Sequence, residues 1–131
     1  MRCIKMKRKT LTVISLAIGF AISAVILSGC KSKSGTFGQA ITDKTITPIR
    51  SIVMKPADYS DKTITIEGKI IRECPAGGWF DLQQDSAVLY VDLHPTGFAI
   101  PQKVGSIVTA QGTLKIQESG PVLIGSGVEI K

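Results

Sequence analysis

A cysteine, an aspartate and a histidine are the side chains best suited to chemistry in the second half of this sequence. Cys74 precedes a glycine-containing turn, and His94, the only histidine, follows Asp92 by two residues. A thiolate and an imidazole suit Cu(I) or Zn(II). Since a structural zinc site has four ligands, Cys74 and His94 predict an incomplete metal site. The alternative is that Cys74 is a small buried apolar side chain, aligned with Ile66 and Ile70, and that His94 lies in a loop.

The same thiol and imidazole are the residue types of a nucleophile and its general base. The sequence offers them no orienting group and no oxyanion-hole glycine motif, and it contains no P-loop, GxGxxG, HExxH or GxSxG pattern. A domain of this length also has little volume for a deep pocket. These observations predict a protein that is not an enzyme and that holds no cofactor other than the copper or zinc just considered.

Trp79, Asp81, Tyr90 and Asp92 fall on one alternation of two neighbouring predicted strands. Aromatic rings on such a face can stack on sugar rings or bases, or they can be half-buried packing residues. Phosphate binding depends on Lys and Arg, and no basic stripe occurs between Trp79 and Pro101. We therefore expect this face to bind a protein, a peptide or a saccharide, and nucleic acid is an alternative that the charges disfavour.

Short predicted strands position these side chains. Apolar alternation marks residues 62–74, 79–83, 87–93, 106–116 and 120–130. Pro48 and Pro56 bound a short predicted helix before the first strand, and Gly68 indicates a bulge or a sharp coil within that strand. A flat sheet of this size would expose its edges and bury little apolar surface. The pattern predicts an all-β protein with a small closed or nearly closed five-stranded barrel.

Three segments resemble strands of an OB-fold barrel: YSDKTITIEGKI (59–70), WFDLQQDSAVLYVDL (79–93) and KVGSIVTAQGTL (103–114). With the stretch ECPAGGWFDL, the chain is similar to a group of exported OB-fold lipoproteins that carry an E-C-x-x-x-G-C-W motif. Gly78 stands where the second cysteine of that motif would be. The resemblance implies an OB-like barrel whose second and third strands present the ligand-binding face.

The irregular segment 94–105 holds Phe98 and Ile100. Many OB folds place a helix here, but the prolines and glycine of this segment disfavour one. Its apolar side chains either contact a partner or plug the end of the barrel, and we expect the plug.

The first 29 residues have the layout of an export signal. Five of the sixteen basic residues lie in the first nine positions, and residues 11–27 carry no charge. The sequence LSGC at 27–30 resembles the lipobox of bacterial lipoproteins, which implies cleavage before Cys30 and acylation of its thiol. A retained transmembrane helix and a secretory signal without lipid are the alternatives. Lipidation predicts an envelope protein anchored to the outer membrane, on its periplasmic side, or to the outer face of the cell membrane.

Removing this segment changes the meaning of the net charge. The whole chain carries +6, whereas residues 30–131 hold eleven basic and ten acidic side chains. The charge therefore indicates export rather than a nucleic-acid partner. Residues 30–45 are predicted to be a lipidated N-terminus and a flexible tether, and residues 46–131 the barrel. With Cys30 acylated and Cys3 removed, Cys74 has no intramolecular disulfide partner.

Overall fold

The computed structural model describes residues 35–131, so the predicted signal peptide, Cys30 and residues 31–34 lie outside the described residues. The elements are β1 (Gly35–Gly38), α1 (Ile49–Met54), β2 (Thr63–Glu73), β3 (Trp79–Gln84), β4 (Ala87–Asp92), β5 (Ile107–Gln117) and β6 (Gly120–Ile130). Two single-turn 3-10 helices occur at Pro56–Tyr59 and His94–Thr96.

Strands β2 to β6 close into a five-stranded barrel. Antiparallel pairing joins β2 to β3, β3 to β4, β2 to β5 and β5 to β6. A parallel pairing between β4 and β6 completes the circle. The all-β, five-stranded barrel predicted from the alternation is confirmed. The short β4–β6 pairing leaves the second half of β6 free on that side to pair with β1.

Strand β2 pairs with β3 on one side and with β5 on the other. Lys69 lies opposite both Gln83 of β3 and Ile107 of β5. At Gly68 a side chain would approach the carbonyl oxygen of Gln83 to 2.5 Å, so the close approach of β3 requires glycine. The bulge lies further along, between Ile70 and Arg72.

The core is built from the inward alternation and is closed at both ends of the barrel. The fully buried side chains include Ile66, Ile70, Phe80, Leu82, Leu89, Val91, Leu114 and Leu123. At the lower end, where β2 begins, α1 inserts Ile49 and Ile52. At the upper end, where β2 ends, Ile100 is buried and Phe98 packs against the core. The predicted plug by segment 94–105 is therefore confirmed. No helix within residues 35–131 has the length and apolarity to cross a membrane.

The prediction of a flexible tether is wrong for residues 35–45, which lie along the outside of the barrel. Strand β1 pairs antiparallel with β6, from Gly35 opposite Ile130 to Gly38 opposite Gly127. The N–H of Thr42 donates to Oε1 of Gln111 at 2.8 Å. Pairing with the edge of β6 and a hydrogen bond to the Gln111 side chain hold this segment. Both depend on the partner residues rather than on the polar composition of residues 35–45.

Two buried polar side chains hold this segment. The Thr65 hydroxyl donates to the carbonyl oxygen of Asp43 at 2.8 Å, and Gln111 accepts from the N–H of Thr42. Both Thr65 and Gln111 are buried on the outer side of the barrel. Without the N-terminal segment they would lose these partners, so residues 35–45 are an integral layer of the domain.

Candidate ligand-binding face

The register of β3 and β4 places four of the predicted site residues on one outer face. Trp79 lies opposite Asp92, and Asp81 lies opposite Tyr90. Antiparallel partners point to the same side of a sheet, and their neighbours Phe80, Leu82 and Val91 fill the core on the other side.

The two aromatic rings pack on each other. The ring centroids of Trp79 and Tyr90 are 5.4 Å apart, with 29° between the planes. The guanidinium carbon of Arg72 lies 5.5 Å from the centroid of the Trp79 ring. Because β3 runs between β2 and β4, Trp79 is flanked by Arg72 on one side and by Tyr90 on the other. Trp79 thus supports the face by packing.

Arg72 also holds Asp81. Its Nε donates to Oδ2 of Asp81 at 2.7 Å, and Nη2 lies 2.7 Å from the same oxygen. The Asp81 side chain is only 11% exposed, whereas that of Arg72 is 69% exposed. The bond therefore fixes a largely buried carboxylate by means of a solvated guanidinium.

Strict alternation of β2 does not predict Arg72 on this face. Counting in twos from Ile70 would turn Arg72 inward, but the bulge adds one residue, so Ile71 and Arg72 both face outward. A bulge of this kind leaves no clear signal in the local sequence.

The same bulge moves Cys74 to the outer face. Its N–H donates to the carbonyl oxygen of Trp79 at 3.0 Å, which places the two residues opposite each other. The thiol is free and the residue is half-buried. The interpretation of Cys74 as a core side chain in line with Ile66 and Ile70 is therefore wrong.

His94 is held at the upper end of this face. Its Nδ1 and its backbone N–H lie 2.8 and 3.0 Å from Oδ1 of Asp92. The imidazole lies against Gly78, where a Cβ would come within 2.5 Å of Nε2. The absence of a side chain at Gly78 thus leaves room for the ring. Within residues 35–131 no three His, Cys, Asp or Glu side chains cluster closely enough to hold a metal ion. Copper or zinc binding by Cys74 and His94 stays a prediction.

A groove of about 460 Å³ opens beside the aromatic pair. It crosses from β2 over β4 to the turn between β5 and β6, and its lining residues are Arg72, Asp81, Tyr90, Asp92, Gln117, Ser119, Pro121 and Val122. Sequence reasoning missed five of these residues. Arg72 was missed because of the bulge in β2, and the last four because only barrel closure brings the β5–β6 turn to this face. Buried Val122 lies beside Tyr90 in the register and forms an apolar floor.

The electrostatics of the groove are set by two carboxylates and one guanidinium. Burial is the main cause that raises the pKa of Tyr90 above its ordinary value, and the negative charge of Asp92 and then of Asp81 adds to it. Arg72 acts in the opposite direction. The phenol of Tyr90 is therefore protonated at neutral pH and can donate a hydrogen bond, while Asp81 and Asp92 supply acceptor oxygens.

No protein-family model matches this chain, and no curated protein matches it. Solved structures do share its fold. The hypothetical protein ygiW of E. coli matches with a TM-score of 0.50 at 16% identity, over 71% of this chain and 100% of that protein. A Leishmania major protein described as an aspartyl-tRNA synthetase matches with a TM-score of 0.53 at 16% identity, over 70% of this chain.

The aspartyl-tRNA synthetase of Entamoeba histolytica matches with a TM-score of 0.54 at 13% identity, over 77% of this chain. This chain spans about a fifth and about a quarter of the two synthetases, 21% and 27%. At such identities the likeness concerns the fold alone. The strand order, the parallel closure of β4 on β6 and these matches define the class as an OB-like barrel.

Proposed function

We propose that this protein is a non-enzymatic binding module, anchored in the bacterial envelope through lipidated Cys30, that binds a saccharide in the groove of its outer face. The groove carries the proposal. It lies on the second and third barrel strands and beside the turn between the last two, and these are the regions with which OB folds bind oligonucleotides and oligosaccharides.

The side chains of the groove suit a hydroxyl-rich ligand. Asp81, Asp92 and Gln117 offer acceptor oxygens to sugar hydroxyls. Tyr90 and Val122 offer an apolar surface against which the C–H face of a sugar ring can pack. Such a site combines a few directional polar groups with apolar contact, as small-molecule sites commonly do.

The charges disfavour nucleic acid, the alternative suggested by the likeness to aspartyl-tRNA synthetases. The groove holds two carboxylates and a single guanidinium, and that guanidinium is bound to Asp81. Polyphosphate ligands gain most of their affinity from cationic side chains that displace counterions. Cationic side chains of a peptide would be tolerated better than phosphates.

Titration calorimetry of the purified protein against fragments of envelope glycans tests the proposal. We expect saturable binding to the wild type and at least a tenfold weaker affinity for Asp92→Asn or Tyr90→Ala, about 1.4 kcal/mol or more. Asp85→Asn is the matched control, because Asp85 lies in the β3–β4 turn outside the groove and adopts a φ of 53° that asparagine accepts.

Two results would contradict the saccharide assignment. One is the absence of saturable binding for all glycan fragments. The other is binding that Asp92→Asn and Tyr90→Ala leave as strong as in Asp85→Asn. Retardation of a single-stranded oligonucleotide at low salt would favour the nucleic-acid alternative instead.

A further inference from the structure

Three exposed aliphatic side chains form a patch at the upper end of the barrel. Ile71, Val104 and Ile107 are 41%, 61% and 42% exposed. The N–H groups of Gly105 and Ile70 bond across β2 and the start of β5, so these three residues surround one junction. Ile107 lies opposite Lys69 in the register, and Ile71 is the next outward residue after Lys69. The patch is therefore contiguous across two strands.

The start of β1 lies at the same end. Gly35 pairs with Ile130, and Ile130 pairs with Val108, the neighbour of Ile107. Two strand spacings separate Gly35 from the patch, which is about 10 Å. The docked β1 therefore fixes where the chain enters the domain, next to an apolar surface.

The chain between Cys30 and Gly35 is short. Five residue steps separate them, and a fully extended chain covers about 3.3–3.6 Å per step, so Gly35 lies within about 18 Å of the lipidated cysteine. The flexible tether predicted from the sequence, residues 30–45, was about three times as long. With Cys30 anchored in the bilayer as proposed, a link of this length would keep the upper end of the barrel close to the bilayer surface.

Charge near the patch suits an anionic lipid surface. Lys31 and Lys33 lie in the link itself, and Lys69 and Lys103 flank the patch in sequence and register. Lysines close to a membrane are attracted to anionic headgroups.

Two of the acidic groups at this end, Glu67 and Glu73, have partners within the protein. Glu67 is bound by Lys131, with Nζ and Oε2 2.5 Å apart. Glu129 lines the same hollow as Lys44 and Lys131. Glu73 accepts the backbone N–H groups of Lys103 and Val104. Within residues 35–131 Lys69 and Lys103 form no ion pair, so their charges are available to headgroups beside the aliphatic side chains.

We propose that Ile71, Val104 and Ile107 form a membrane-contacting patch that seats the upper end of the barrel on the lipid bilayer. This inference rests on the lipid anchor of the proposed function. It gives the domain one orientation, in which the upper end meets the bilayer and α1 at the lower end points away from it.

Site-specific fluorescence of the full lipidated chain in vesicles tests this orientation. In a Cys3→Ser, Cys74→Ala background, an environment-sensitive dye is attached at Val104→Cys and, as the matched control, at Met54→Cys. Met54 is 68% exposed on α1. In vesicles of phosphatidylcholine and phosphatidylglycerol, we expect the emission at position 104 to shift to shorter wavelength and to be quenched by lipids with brominated acyl chains. The dye at position 54 keeps its aqueous emission.

A second pair of variants separates contact through the patch from mere proximity through the link. Ile71→Ser with Ile107→Ser is expected to abolish the quenching at position 104, whereas Ile116→Ser, which alters an isoleucine that is 50% exposed elsewhere on β5, leaves it unchanged. Equal quenching in both variants would overturn the patch.

Incorporation of labelled palmitate, measured in parallel and absent in Cys30→Ser, reports on the anchor. Without incorporation the anchor and the patch both fail. With incorporation but no quenching at position 104, the patch alone is refuted.

Discussion

The pKa of Tyr90 responds both to the burial of its side chain and to the charges in the groove. Its raised pKa has burial as the main cause, followed by the charges of Asp92 and Asp81. A phenol whose pKa is raised on folding favours the folded state below its unfolded pKa of about 10, and this contribution is lost as the pH rises through the folded value. The contribution of Tyr90 to stability is therefore lost only at alkaline pH.

We predict that Asp92→Asn lowers the pKa of Tyr90, because it removes the carboxylate whose charge raises that pKa more than the charge of Asp81 does. The measurement is the tyrosinate absorbance titration, with the Tyr90→Phe curve subtracted to remove Tyr59. Asp85→Asn serves as the control and leaves the titration in place. A Tyr90 pKa that stays unchanged in Asp92→Asn would show that the carboxylate is too well screened to act on the phenol.

At the scale of elements, β1 and the following residues depend on one glycine of β6. A Cβ at Gly127 would lie 2.1 Å from the carbonyl oxygen of Gln39, which is backbone and cannot rotate away. A larger residue at position 127 would therefore have to displace the segment that covers Thr65 and Gln111. The close crossing is thus possible only without a side chain at position 127.

Gly127→Ala is accordingly predicted to release residues 35–45 from the barrel and to destabilise the protein by about 0.5–3 kcal/mol. Hydrogen exchange at the amides of Thr42 and Asp43, which both bond to Gln111, should accelerate far more than exchange in β3. Glu129→Ala changes an exposed residue of the same strand and is the control. Unaltered exchange at Thr42 and Asp43 in Gly127→Ala would mean that this segment does not depend on the close crossing.

For the whole molecule, α1 and the barrel share one core. Ile49 and Ile52 of α1 are fully buried in the same cluster as the inward residues of β2 to β6. Within residues 35–131 Cys74 is a free thiol. No disulfide in this part of the chain therefore stabilises one part of the domain separately from the rest. A domain of this size with a single core unfolds as one unit.

We predict that Ile52→Ala lowers the free energy of unfolding by about 2–5 kcal/mol, as large-to-small changes in a core do. Its neighbour Val53 is 44% exposed, so Val53→Ala should change it by no more than about 0.5 kcal/mol. Urea unfolding followed by Trp79 fluorescence and by far-ultraviolet circular dichroism should give coincident transitions in both variants. Separate transitions in Ile52→Ala would show that α1 unfolds independently of the barrel.

Local sequence patterns predict much of this architecture. The alternation of Phe80 and Leu82 with Trp79 and Asp81 assigns inner and outer faces without reference to any partner strand. Pro48 bounds α1 as its N-cap residue, where the missing N–H of proline costs no helical hydrogen bond. Local patterns of this kind also predicted the barrel class, the plug at 94–105 and the common face of the aromatic and acidic residues.

Tertiary structure alone decided which further groups join that face and what becomes of the N-terminal segment. The bulge at Ile71 turned Arg72 and Cys74 outward, barrel closure brought the β5–β6 turn to the groove, and the edge of β6 captured β1. Alternation is a property of one strand and has a period of two residues. Bulges, edge pairing and closure depend on which strands meet, and that is determined only when residues distant in the chain compete for the same hydrogen bonds and the same core.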